Sequence, residues 1–198
     1  MLRNLSKLKV LVLITVLVVG FVGTTYGHCN TRQGPVAKDA RKALKNNDFE
    51  TVAIWITENE EAELKQKFEK ALQVYNKGGE SKELAKDYFM ENTVRLHRLA
   101  EGMSYKGLKT IDEFPEDIQA AEKALDIKDS KPINDLLVKE LKDKVDKWHK
   151  KTIEAKKHKD ESVEAGRKYA STYVKYTVFV HKLYNAIQAG PPHGVGEK

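Results

Sequence analysis

Apolar residues return at helical spacing along most of the chain. After Gly34-Pro35, Val36, Ala40, Ala43 and Leu44 mark one buried face of a helix that opens on proline, and Asn46-Asn47-Asp48 stops it. Val52, Ile54, Trp55 and Ile56 form a short apolar stretch. From Glu60 to Tyr75 the pattern continues with Leu64, Phe68, Ala71 and Leu72. Gly78-Gly79 breaks that helix, and a third is predicted from Ser81 to Gly102. Farther on, helices are predicted over Glu116–Lys128, Pro132–Lys159 with room for a break, and Ser162–Ala189. Few segments alternate with period two, so strands are not expected. The pattern predicts an all-α helical bundle.

The bundle is written twice. Ala40-Arg41-Lys42-Ala43-Leu44, Asp48 and Val52 match Ala121-Glu122-Lys123-Ala124-Leu125, Asp129 and Ile133 at a constant offset of 81. Thr93-Val94-Arg95-Leu96-His97-Arg98-Leu99 matches Thr177-Val178-Phe179-Val180-His181-Lys182-Leu183 at an offset of 84. The two matches keep the same order, and a drift of three residues is what a change of loop length produces. Residues 28–198 are therefore read as one helical domain of two duplicated three-helix units, 34–103 and 115–189. Two long copies indicate an internal duplication rather than a solenoid.

The first 27 residues follow a different logic. Arg3, Lys7 and Lys9 precede an uncharged apolar run from Val10 to Val22, and Thr24-Thr25-Tyr26-Gly27 leads out of it. That run is too short for a comfortable bilayer span and fits the apolar region of a signal peptide. Thr25 and Gly27 supply the small residues that precede a cut, so cleavage is expected after Gly27, with an uncleaved membrane anchor as the alternative. The protein is then exported to the periplasm or the extracellular space, and it meets a membrane only if residues 1–27 remain attached. Of 35 Lys and Arg, those three lie before residue 28, leaving 32 bases against 29 acids. Bases and acids are interleaved at helical spacing, which solvates helices and argues against nucleic-acid binding. No partner is identified by the sequence.

Candidate chemistry concentrates on histidine and cysteine. A single cysteine, Cys29, excludes an internal disulfide and a Cys-rich zinc module. Cleavage after Gly27 would leave an α-amine, the His28 imidazole and the Cys29 thiol within two residues, a donor set that suits copper, nickel or zinc. His97 and His181 fall at equivalent positions on equivalent helices. A stripe of Tyr173, Thr177, Val180 and Tyr184 predicts that His181 points inward, and Thr93 and Glu101 flank His97 one turn away on its own face. A pseudo-two-fold arrangement would bring both rings to one site. The expected metal site is thus His28, Cys29, His97 and His181 around one transition ion. Each histidine also has a simpler reading as a hydrogen-bonded core residue. His193, after Pro191-Pro192, is a further candidate ligand in the tail. His149 and His158, in lysine-rich sequence, are expected at the surface, as are Glu58, Glu60, Glu61 and Glu63. No haem-attachment sequence, phosphate loop, nucleophile elbow or zincin pair is present. No reaction is identified, and two classes stay open: a metal-binding bundle, and a non-catalytic scaffold with a helical groove.

His28-Cys29-Asn30, followed by Gly34, resembles the metal hook of the nickel superoxide dismutases. The resemblance implies that the amine, the Cys29 amide and thiolate, and His28 bind nickel; Gln33 stands where that family has its second cysteine. Over nearly all of the chain after residue 27, the sequence is similar to a family of exported bacterial and archaeal proteins of unknown function. That similarity rests on His28-Cys29-Asn30-Thr31, Gly34-Pro35-Val36, Val94-Arg95-Leu96-His97-Arg98 and Tyr105-Lys106-Gly107-Leu108-Lys109. It implies exported helical architecture and no particular activity.

Overall fold

The structure, a computed structural model, describes residues 28–191 and 193–196; residues 1–27, where a signal peptide is expected, lie outside the described residues. A short 3-10 turn, His28–Asn30, precedes seven helices among the described residues. They are α1 (Pro35–Asn46), α2 (Glu50–Ala53), α3 (Glu58–Tyr75), α4 (Gly79–Ala100), α5 (Glu116–Ile127), α6 (Lys131–Lys157) and α7 (Val163–Ala189). The all-α expectation holds; the one β feature among the described residues is an isolated bridge between Thr31 and Lys109.

The first unit is a packed bundle. α4 lies between α3 and α1, and the 3-10 turn rests on both α1 and α4. Val36, Ala40 and Leu44 of α1 meet Leu64 and Phe68 of α3 and Phe89, Val94 and Leu96 of α4 in one buried core. Aromatic rings step through it, Phe49 to Phe68 at 5.7 Å and Phe68 to Phe89 at 5.4 Å. Between α2 and α3 the chain bends, and Thr57 restarts it: the Glu60 carboxylate accepts from the Thr57 backbone N–H at 3.2 Å, one arm of a capping box.

The stretches matched at offsets of 81 and 84 share local detail. α1 and α5 both have 12 residues and start 81 apart. Each ends on a left-handed residue, Asn47 at φ 53° and Lys128 at φ 56°, again 81 apart. After each, the N–H of the next aspartate returns to an alanine carbonyl, Asp48 to Ala43 and Asp129 to Ala124, both at 3.0 Å. The same aspartates accept from the first N–H of the following helix, Glu50 at 3.1 Å and Lys131 at 2.9 Å. Thr93 and Thr177, 84 apart, both donate to the carbonyl four residues back.

The copies part at one place. The bend at Ile54–Thr57 has no counterpart in the second unit, where α6 runs unbroken through Asp135–Val138. At the offset of 81, the Thr57–Glu60 capping pair becomes Val138 and Leu141, which carry no cap. The second unit is accordingly an α6–α7 hairpin with α5 packed on α6, and no residue of α7 is fully buried.

Candidate functional site

Residues 28–32 are clasped before α1 begins. Arg32 N–H donates to Lys109 O at 2.8 Å and Lys109 N–H to Asn30 O at 3.0 Å, so the Tyr105–Lys109 segment holds residues 30–32 down. Thr31 Oγ1 donates to the His28 carbonyl at 3.0 Å, and Arg41 donates to the Arg32 carbonyl at 2.8 Å. Tyr105 donates to Glu91 at 2.8 Å; burial first, then that bond and the Glu91 charge, hold its phenol protonated well above the ordinary tyrosine range. Gly34 closes the turn. A Cβ there would run into the His28 carbonyl oxygen and come within 3.0 Å of Thr31 Oγ1. Its φ of −71° suits any residue, so the requirement is space. Gly34→Ala is expected to cost about 1–3 kcal/mol by overpacking and to lift His28 and Cys29 from their seat, read as faster alkylation of Cys29.

One His–Glu pair involves the 3-10 turn and another the C-terminal end of α4. His28 stacks edge-on against Phe114 at 4.7 Å, and its Nε2 lies 3.0 Å from Glu122 Oε1 on α5. His97, 1% exposed on α4, contacts the Trp55 carbonyl through Nδ1 at 2.7 Å and stands perpendicular to the Trp55 indole. A carbonyl can only accept, so Nδ1 carries the proton. Nε2 of His97 is buried with no hydrogen-bond partner and faces Glu101 Oε1 at 3.5 Å. The other Glu101 oxygen accepts from buried Arg98 at 2.7 Å. The tail returns to this point: Gly196 N–H donates to Ala100 O at 2.9 Å, and His193 Nε2 lies 4.0 Å from Glu101 Oε1.

Cys29 is a half-buried free thiol packed against the core. Burial pushes its pKa up most, the Glu101 and Glu122 charges add to that, and Arg98 opposes it. The thiol therefore senses both carboxylates. In metal-free protein, Cys29 is expected to alkylate more slowly than a free thiol near neutral pH, with the midpoint of its pH–rate profile above 9.0. The sign follows for stability as well. A raised folded pKa leaves the thiol's contribution intact below the unfolded value, and it is lost as pH rises through the folded value.

His181 does not join this seam. It is exposed on α7, with its Nε2 3.0 Å from the Asn185 amide. The inward orientation expected from the Tyr173–Tyr184 stripe is overturned, because α6 does not bend and α5 packs on α6 instead of crossing α7. Among the described residues, no group of three or more His, Cys, Asp or Glu already stands in metal-holding geometry. His149 and His158 are exposed as expected, His158 between Glu154 and Glu161. Glu122 enters the site through tertiary folding alone, whereas His193 is the tail candidate and lies 4.0 Å from Glu101 Oε1. Glu101 was legible only as the neighbour of His97 one turn on.

Residues 33–179, spanning both units, match a family of unknown function (DUF6448). The chain belongs to that family. Its matched region contains His97, Arg98, Glu101 and Glu122, while His28, Cys29, His181 and His193 fall outside it. No curated protein and no solved structure matches the chain.

Proposed function

We propose that this member of the family is an exported protein that binds one transition metal ion at the seam between its units, through His28, Cys29 and His97, with Glu101 beside them. The state of His97 carries the reading. Its Nδ1–H is held on a backbone carbonyl and its Nε2 is buried with no hydrogen-bond partner, the orientation that metal-binding histidines have. That nitrogen faces the Glu101 carboxylate, a place where a positive charge, carried by a proton or by a metal ion, is favoured. Two ligands each about 2.1 Å from a tetrahedral ion lie about 3.4 Å apart, and the His97 Nε2 to Glu101 distance is 3.5 Å.

The remaining donors are soft or nitrogenous, which favours copper, nickel or zinc over calcium or magnesium. Processing after Gly27 would add the His28 amine, and His193 is within reach of Glu101 as a further ligand. Arg98 orients Glu101, and Trp55 fixes the His97 ring. Bound there, the ion would be stored or carried, and copper or nickel would also exchange single electrons.

Chelator competition with copper, nickel and zinc tests this reading. His97→Ala is expected to weaken the preferred ion at least about a hundredfold, Cys29→Ser to abolish any thiolate-to-metal charge-transfer band, and His181→Ala to change neither. Equal affinity in wild type and His97→Ala would overturn it. The exposed apolar residues of α7, Tyr173, Val174, Val178 and Tyr184 among them, favour a second reading, a binding scaffold.

A further inference from the structure

The two oxygens of Glu101 face different groups. Oε2 accepts from the Arg98 guanidinium at 2.7 Å. Oε1 lies 3.5 Å from Nε2 of His97 and 4.0 Å from Nε2 of His193. His97 and Glu101 meet because they are four residues apart on one helix. His193 comes from the tail beyond α7, and the backbone shows how it is delivered. Gly190 ends α7 at φ 69°, and Gly196, at φ 78°, donates its N–H to Ala100 O at 2.9 Å, one residue before Glu101. Both positive angles favour glycine. A Cβ on Gly196 would stand 3.3 Å from Thr57 Cγ2, so the tail also lies against the start of α3.

Burial orders the three side chains. His97 is 2% exposed, Glu101 11% and His193 32%, which makes His193 the outermost. A cleft of about 380 Å³ opens beside the end of α4, lined by Thr57, Glu58, Ala100 and Gly102, with Gly196 as part of its wall. Lifting the tail therefore opens this end of α4 to water.

We propose that the tail is a strap over the metal site: once an ion sits on His97 and Glu101, His193 closes in as a second imidazole, and the tail stays docked while the ion is bound. The proposal rests on the metal reading above and adds to it the ligand that controls exchange. Two donors each about 2.1 Å from a tetrahedral ion lie about 3.4 Å apart, so His193 needs to move by only about half an ångström from its 4.0 Å separation. Imidazole is a good ligand for copper, nickel and zinc alike. Because the docked tail holds the ion better, the ion must in turn favour the docked tail.

Two measurements on the full chain, loaded with one equivalent of copper, nickel or zinc in turn, test the strap. In the first, diethyl pyrocarbonate modifies the histidines and mass spectrometry locates the product. The bound ion is expected to slow modification of His193 at least about tenfold, while His149 and His181, both exposed, react at unchanged rates. In the second, the ion is released to an excess of chelator. His193→Ala, and Gly196→Pro, which removes the N–H that ties the tail to Ala100, should each speed release at least about tenfold without loss of helical circular dichroism. Suppose instead that wild type keeps its ion, His193 reacts as fast with the ion as without it, and His193→Ala releases it no faster. That result would overturn the strap and leave the ion on His28, Cys29 and His97. Protein that takes up no ion would overturn the strap together with the reading beneath it.

Discussion

Phe89→Ala is expected to lower the unfolding free energy by about 3–5 kcal/mol, the usual cost of emptying a large aromatic site in a packed core. Phe89 is fully buried, stacks on Phe68 and lies among α1, α3 and α4, so the vacated space has no flexible neighbour to fill it. Its repeat counterpart makes the comparison sharp. Tyr173→Ala, on a ring that is half exposed, is expected to change stability by less than about 1 kcal/mol in dilute, monomeric protein. Urea melts of both variants at low concentration measure the difference. Equal costs would mean that the second unit closes its core as the first does.

Arg98→Met is expected to cost about 3–5 kcal/mol. The guanidinium is nearly buried and makes a 2.7 Å bond to the Glu101 carboxylate. Removing it leaves a carboxylate with 11% side-chain exposure stripped of its guanidinium partner. The double variant Arg98→Met with Glu101→Gln should recover part of the loss, because the stranded charge is gone. A double-mutant cycle reads this coupling directly. Additive losses would show that Arg98 contributes through packing alone. In the metal account, an added ion should also stabilise Arg98→Met more than wild type, since it supplies the missing positive charge.

The helices of the first unit were legible because each carries a local signal: proline at the start of α1, Asn47 at its end, and apolar residues at three- and four-residue spacing. The stretches matched at an offset of 81 were equally legible, and both helices end on a left-handed cap, at Asn47 and at Lys128. What the pattern did not reveal is that α6 absorbs the counterpart of the Ile54–Thr57 bend. A stripe such as Tyr173–Thr177–Val180–Tyr184 says that a face wants to be covered, not by what, so His181 read as inward and lies outward. The Cys29 surroundings show the complementary limit. His97 and Glu101 sit on one helix and their proximity follows from spacing, whereas Glu122 and the tail reach the seam from segments far along the chain. Their approach depends on the Lys109 clasp and the α4 C-terminus, for which the sequence has no periodic signature.

Native mass spectrometry of untagged protein recovered after export, followed by denaturation of the same sample, tests the metal account most directly. The account predicts a denatured chain that begins at His28 and a native one heavier by a single transition ion per chain, an ion that His97→Ala loses and His181→Ala keeps. A processed chain that carries no ion, and takes up none when copper, nickel and zinc are added, would contradict it.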